Sequence, residues 1–364
     1  MASRRGLRRR PVPSGGERSD FIDGVVAAAR KGGAESLTVL SDDVILSDVR
    51  EWVPSGYPSV DYALGGGWPV GRASEVYGVE GSGKSSLGHM AMLGAQRMGG
   101  YGVLFDAEAA LDRRQLRQLG LDLNRTVYCT PDHMEQVWDS LRAVLDRVEK
   151  ESPSGPVVVV WDSVAATRTK AEIEAKSAED RAVSSQARVM AEQCSNRLLH
   201  QIARTRCHVM FINQVRDTMG AIGPFRGQAV HTPGGRALKF VASLRVECRR
   251  IATLPKQGHP KTGFRLRAKA TKNRLAPPFR EGRFVIDFAR GPSPALSLFE
   301  ELRDAGKIRS SGGGRYKLSG ASGLPDAISD GFTRGEWADA MGAPGAADVL
   351  WATAVHPSGP LEKG

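Results

Sequence analysis

Residues 78–85 read Gly-Val-Glu-Gly-Ser-Gly-Lys-Ser, which satisfies the pattern G-x-x-x-x-G-K-[ST] in full. The short run before it (Ser74–Tyr77) predicts a buried strand, and the periodic stretch after it (Lys84–Arg97) predicts a helix. In that context the glycines let successive backbone N–H groups turn inward, and the helix adds the positive end of its dipole. The result is a cradle for phosphate. Lys84 is placed to reach the outer phosphates, and the Ser85 hydroxyl to serve Mg²⁺. Gly78, Val79, Glu80, Gly81, Ser82, Gly83 and the following Ser86 complete the expected nucleotide contacts.

The same texture continues along the chain. Gly102–Phe105, Val157–Trp161 and His208–Ile212 predict further strands buried on both faces, and Met134–Val148 and Ser184–Arg204 predict helices between them. Strands alternating with helices imply an α/β fold with a mostly parallel central sheet covered on both sides. Such sheets bind ligands at the C-terminal ends of their strands. Val157–Trp161 ends at Asp162, a carboxylate placed to share Mg²⁺ with Ser85. Gly102–Phe105 delivers Asp106-Ala107-Glu108 to the same edge, where Glu108 can activate an attacking water. The fourth strand ends at Asn213-Gln214, whose amide can sense a terminal phosphate. Read alone, Asp162 also suits a turn cap, and Glu108 and Gln214 also suit ordinary polar strand ends.

Composition narrows the class. Among 364 residues, 51 Lys and Arg face 40 Asp and Glu, a formal charge of +11 that suits a polyanionic partner. An apolar share of 41% excludes wholesale disorder, and no stretch approaches the ~18 uncharged apolar residues of a membrane span. Cys129, Cys194, Cys207 and Cys248 lie far apart, so neither a zinc knuckle nor a disulfide framework is indicated, and reduced thiols in the cytoplasm are expected. Residues 1–20 read as a flexible basic arm without an apolar signal segment. In 21–51, Phe21, Ile22, Val25, Val26 and Ala29 recur at helical spacing before a short strand at Ser36–Leu40, a helix-strand piece too small to hide its own apolar face. Residues 52–290 carry the alternating core. Residues 291–364, with helices at Leu296–Ala305 and Arg334–Met341, suggest a small α/β C-terminal domain.

Several stretches together resemble the RecA family of bacterial recombinases, over roughly Asp20 to Phe288. They are Ser-Gly-Tyr-Pro-Ser-Val-Asp-Tyr-Ala-Leu-Gly-Gly-Gly at 55–67, the phosphate loop, Asp-Ala-Glu-Ala-Ala-Leu-Asp at 106–112 and Lys-Ala-Glu-Ile-Glu at 170–174. Phe-Ile-Asn-Gln-Val-Arg at 211–216, Gly-Gly-Arg-Ala-Leu-Lys-Phe at 234–240 and Lys-Asn-Arg-Leu-Ala-Pro-Pro-Phe at 272–279 complete the set. The resemblance implies a RecA-like P-loop ATPase core with an N-terminal oligomerisation segment. It also implies ATP hydrolysis with Mg²⁺, coupled to helical filament assembly on single-stranded DNA for homologous pairing, strand exchange and repair. Glu108 is then the catalytic carboxylate, and Gln214 relays nucleotide state into the DNA-binding loop that begins at Arg216. Lys272 and Arg274 reach the neighbouring subunit's ATP, so hydrolysis requires assembly. Arg188, Arg216 and the backbone of Gly234-Gly235 match contacts to the primary strand. Arg250, Arg267 and Lys269 match a secondary site for duplex DNA. Independently, Arg265, Arg267 and Lys269 alternate with apolar residues and share one strand face, which without the resemblance reads as a solvated face.

The chain also departs from the family pattern. Gln115 stands where a tyrosine commonly stacks on adenine. The loop at 175–187 differs and is one residue longer, while that at 217–233 is about three longer, with Phe225 its only aromatic residue. The last residues, Pro360–Gly364, form no acidic run, from which weaker restraint on duplex capture is expected. Two other readings use the same residues. One is an accessory filament protein that stimulates self-cleavage of a LexA-type repressor without exchanging strands. The other is a hexameric helicase of related core fold, whose usual large N-terminal domain is not seen here.

Overall fold

The computed structural model describes residues 20–33, 48–175, 185–215, 233–254, 260–319 and 331–341. The strand expected at Ser36–Leu40, Arg216, and Phe225 with nearly all of its loop lie outside the described residues, as do nearly all of the basic arm, most of the 175–187 loop and the last residues. Contacts divide the chain into two units, Met1–Asp48 and Val49–Gly364. The first contains α1 (Asp20–Lys31), with Asp20 and Asp23 in its first turn and Arg30 and Lys31 in its last, each complementing the helix dipole. The helix expected here is present; Val26 is buried, while Phe21, Ile22 and Val25 are exposed.

The second unit opens with β1 (Trp52–Val53), α2 (Pro58–Leu64) and β2 (Trp68–Pro69). The core follows as β3 (Arg72–Gly78), α3 (Lys84–Arg97), β4 (Tyr101–Asp106), α4 (Arg113–Gln118), β5 (Thr126–Cys129), α5 (Met134–Glu151) and β6 (Val157–Asp162). Then come α6 (Lys170–Glu174), α7 (Ser185–Gln193), α8 (Asn196–Arg204), β7 (Cys207–Gln214), α9 (Ala237–Val241), β8 (Leu244–Leu254), β9 (Gly263–Asn273) and β10 (Glu281–Asp287). The C-terminal part holds β11 (Gly291–Pro292), α10 (Pro294–Asp304), β12 (Ile308–Gly312), β13 (Arg315–Leu318) and α11 (Arg334–Ala340).

Among the described residues the main sheet has nine strands in the order β11-β10-β9-β8-β3-β7-β6-β4-β5. From β8 to β5 every neighbouring pair is parallel, and β9, β10 and β11 extend the sheet antiparallel. The chain therefore has the mostly parallel α/β core expected. The reason is visible in β6, whose four consecutive valines and Trp161 are all buried because helices cover both faces. On one face Trp138 of α5 meets Trp161 edge-on at 5.3 Å and Phe211 at 5.8 Å. Aromatic contacts of this kind add about 0.5–1.5 kcal/mol to simple burial. On the other face α3 lies so close that a Cβ on Gly88 would stand 3.0 Å from Val160. His208, fully buried, donates from Nδ1 to the Pro69 carbonyl and accepts from the Ser74 hydroxyl at Nε2, each at 2.8 Å. Burial depresses its pKa to about 4, so the ring is neutral.

The core strands and helices expected between Ser74 and Ile212 are present at nearly the expected bounds, with one difference. The single helix expected over Ser184–Arg204 is two helices, separated at Cys194 and an extended Ser195 (φ −101°, ψ 166°). The break lets α7 pack against α9 while α8 covers β3 and β7. The C-terminal part has its own small core of Phe299, Leu302, Phe332 and Trp337, with the Trp337 indole donating to the Ala295 carbonyl.

Candidate functional site

The loop between β3 and α3 stands at the C-terminal edge of the parallel strands, where the spacing of Gly78–Ser85 predicts it. A Cβ on Gly78 would overlap the Cys248 carbonyl of β8. Gly83 caps α3 at φ 84°, and a Cβ there would stand 2.8 Å from Leu266 and 2.9 Å from Phe284. Both positions therefore admit only glycine. The loop is pinned from within: Ser82 Oγ donates to the Val79 carbonyl at 2.7 Å, and Lys84 Nζ donates to the same oxygen at 2.8 Å. Val79, Glu80, Gly81 and Ser85 are exposed, and Ser86 is half-buried. Burial pulls the Lys84 ammonium below its usual pKa, and the acidic groups around it oppose that shift.

Asp162 ends β6 as expected and is hydrogen-bonded to Ser85. Burial pushes its carboxyl up to about 6, a shift that the Ser85 bond and Lys84 oppose and that Glu108 and Asp106 reinforce. Ser85 and Asp162 present two oxygens at one point, and no group of three or more His, Cys, Asp or Glu among the described residues could hold a metal ion unaided. That donor set fits Mg²⁺, which takes one or two protein oxygens and fills its shell with phosphate and water.

Glu108 joins the same edge. Its Oε1 accepts from Ser163 Oγ and from Gln214 Nε2, each at 3.1 Å, so a carboxylate from β4 is held by groups following β6 and ending β7. The chain around it is held by Asp106, a residue that sequence spacing places here but gives no role. Its carboxylate accepts from the Glu108 and Leu111 amides at 3.1 and 3.2 Å and from the Tyr128 hydroxyl at 3.1 Å. Gln115 lies exposed on α4, so α4 offers no aromatic ring at that position.

A second unforeseen group lies beneath Gln214. Asn213 Nδ2 donates to Glu75 at 3.2 Å and to the Pro233 carbonyl at 3.0 Å, tying the end of β7 to the segment that leads into Gly234-Gly235. Fully buried Glu75 is paired with Arg245 at 2.5 Å, and Arg245 lies over the Tyr77 ring at 4.6 Å. Lys272 Nζ donates to the carbonyls of Lys239 and Phe240 at 2.6 and 3.4 Å, at the end of α9. Burial first, then Arg274 and Arg245, lower its pKa to about 8. Arg274 is exposed one residue beyond β9. Asn273 anchors this loop, donating to the Leu64 carbonyl at 2.8 Å and accepting from the Leu275 and Ala276 amides.

The expected nucleic-acid residues fall into two groups. Arg188 is exposed on α7, 3.8 Å from Glu192, and Gly234 and Gly235 take φ of 85° and 73° against Met190 and Ala187. Arg250, Arg267 and Lys269 lie on β8 and β9: Arg250 stacks over Phe264 at 4.7 Å, while Arg267 and Lys269 are ion-paired. Arg265, expected on the same face, is buried and held by Asp304.

The chain is similar to known proteins over most of its length. Residues 23–293 match the RecA N-terminal domain family. Over 270 residues, 74% of each chain, the sequence is 43% identical to Protein RecA of a Nitratiruptor species. It is 38% identical over 264 residues, 72% of each chain, to Protein RecA of Aquifex pyrophilus. It is 39% identical over 262 residues to Protein RecA of Thermus aquaticus, covering 71% of this chain and 74% of that one.

Proposed function

The chain belongs to the RecA family, and from that premise we propose that it is a DNA-dependent ATPase that assembles on single-stranded DNA and promotes homologous pairing and strand exchange. The observation that carries this reading is the bond between Glu108 and Gln214. It joins a carboxylate beside the phosphate loop to the last residue of the strand that leads into residue 216. Loss or gain of a terminal phosphate is thereby linked to the segment proposed to hold DNA.

In this reading ATP binds with its phosphates on the 78–85 loop, its outer phosphates neutralised by Lys84. Mg²⁺, held by Ser85 and Asp162, supplies further charge neutralisation when bound. Glu108 orients and deprotonates the attacking water, a contribution of roughly 10²–10⁴-fold. Lys272 and Arg274 complete a neighbouring subunit's site, so turnover requires self-association. The exposed Phe21, Ile22 and Val25 of α1 suit the 21–51 segment to an oligomerisation contact. The 52–290 core then carries both sites, and 291–364 forms the small C-terminal domain. Arg188, Arg216 and the Gly234-Gly235 backbone hold the primary strand, and Arg250, Arg267 and Lys269 the duplex. The cytoplasm is the proposed compartment, with a LexA-type repressor as a further partner.

The test is transfer of a labelled strand from a duplex to a homologous single strand, with ATP and Mg²⁺ present. Transfer that is lost in Lys84→Ala supports the reading. ATP-dependent filaments without transfer would favour the accessory role, to which the altered loop sequences at 175–187 and 217–233 lend weight.

A further inference from the structure

The outer face of β8, β9 and β10 has an order that no single strand reveals. Register sets Arg249 and Arg283 directly opposite Arg267 on its two sides, a transverse row of three guanidinium groups. The next row sets Glu247 and Glu281 directly opposite Lys269. Like charges placed opposite one another destabilise a sheet, so the arginine row needs counter-charge. The acidic row supplies it. Glu247 Oε2 stands 3.3 Å from Arg267, and Glu281 Oε1 stands 3.4 Å from Arg267 and 3.1 Å from Lys269. Arg283 is held at 2.9 Å by Asp304. Arg267 and Lys269 are only 23% and 30% exposed, so water screens these pairs less than it screens ordinary surface pairs.

We infer that Glu247 and Glu281 act as internal phosphate mimics, which occupy Arg267 and Lys269 until a polyanion displaces both carboxylates together. The inference rests on the reading of this face as the duplex-binding surface. One oxygen of Glu281 bridges both cations, so a lone phosphate that takes either cation must break a shared contact for a single new bond. A duplex backbone offers several phosphates at once and replaces the whole set. The two carboxylates thereby set a threshold. They lower affinity for every anion, but least for a long, regularly charged one.

The experiment uses the full chain with its primary site filled by an unlabelled single strand and a slowly hydrolysed ATP analogue. Binding of a labelled duplex is titrated across a range of salt concentrations. Glu281→Gln is expected to bind about two- to five-fold more tightly at low salt, the worth of one freed ion pair. Its plot of log affinity against log salt should be steeper, by up to about 0.9 for each additional phosphate that is neutralised. Glu247→Gln should shift both readings in the same direction, and equal melting temperatures would certify both folds. Asp139→Asn, which removes the same charge from α5, is the control. A rise of equal size in Asp139→Asn would reduce the effect to net charge and overturn the inference. Unchanged affinity and slope in both glutamine variants, with duplex binding still weakened by Arg267→Ala, would overturn the mimicry alone. If Arg267→Ala and Lys269→Ala also leave binding unchanged, the duplex-face reading fails and the inference falls with it.

Discussion

Lys84 and Lys269 lie in the same sheet-centred unit and have opposite kinds of partner. The Lys84 ammonium is held by a neutral backbone carbonyl, amid the carboxylates of Asp162 and Glu108. The Lys269 ammonium is paired with Glu281. In the 78–85 loop the cation is, on the proposed reading, kept for a phosphate, and glycines and backbone turns supply the structure around it. On the outer antiparallel face the cations are already satisfied within the protein. The first arrangement favours tight capture of one small, highly charged ligand. The second favours reversible capture of a long one.

Predictions that could overturn this contrast begin with Lys84→Ala. Removing the loop cation proposed to neutralise the phosphates should cut ATP turnover by about 10²-fold or more, read as phosphate release. A loss of only a few-fold would mean that Lys84 is no more committed to ligand than Lys269. Next, Glu108→Gln should slow turnover by roughly 10²–10⁴-fold while nucleotide-dependent assemblies persist longer, as followed by light scattering. Assemblies shortened as in Lys84→Ala would place Glu108 in nucleotide binding instead of hydrolysis.

A smaller effect refines the contrast through pH. Lys272 carries its charge below its pKa of about 8 and loses it above, so turnover that depends on assembly should fall as pH rises through about 8. Lys272→Arg, charged throughout that range, should lose this alkaline limb if it still assembles. The effect furthest from function concerns the sheet beneath both sites. His208 is neutral in the fold, with a pKa near 4 against 6.5 in the open chain. The unfolded chain therefore binds more protons between those values, and stability is lost as pH falls through that window. At about 1.4 kcal/mol per pH unit, His208 accounts for a loss of about 3 kcal/mol by pH 4. Denaturant melts should show this loss in the native chain and a smaller one in His208→Asn.

What could be read from sequence follows the same divide. The candidate phosphate site was legible because its chemistry is contiguous: eight residues between a strand and a helix carry the spacing, and β4, β6 and β7 end on Asp106, Asp162 and Gln214. Asp162, Glu108 and Gln214 needed only the rule that ligands gather at strand ends. The break at Cys194-Ser195 was not legible, since neither residue is a Gly or Pro and the apolar periodicity runs across it. The Glu75–Arg245–Asn213 group was hidden because its residues sit on β3, β8 and β7, and a buried charge in a strand looks like ordinary alternation. The pairing of Arg267 and Lys269 with Glu247 and Glu281 depends on the register of three strands, which periodicity along one strand does not encode.

ATP turnover with and without single-stranded DNA, in the native chain and in Gln214→Ala, is the decisive comparison for the coupling between the phosphate site and DNA. Strong stimulation by DNA is expected in the native chain. Gln214→Ala should lose that stimulation and retain nucleotide binding, because the link from Glu108 to β7 is cut. Turnover in the native chain that is indifferent to DNA would contradict the coupling.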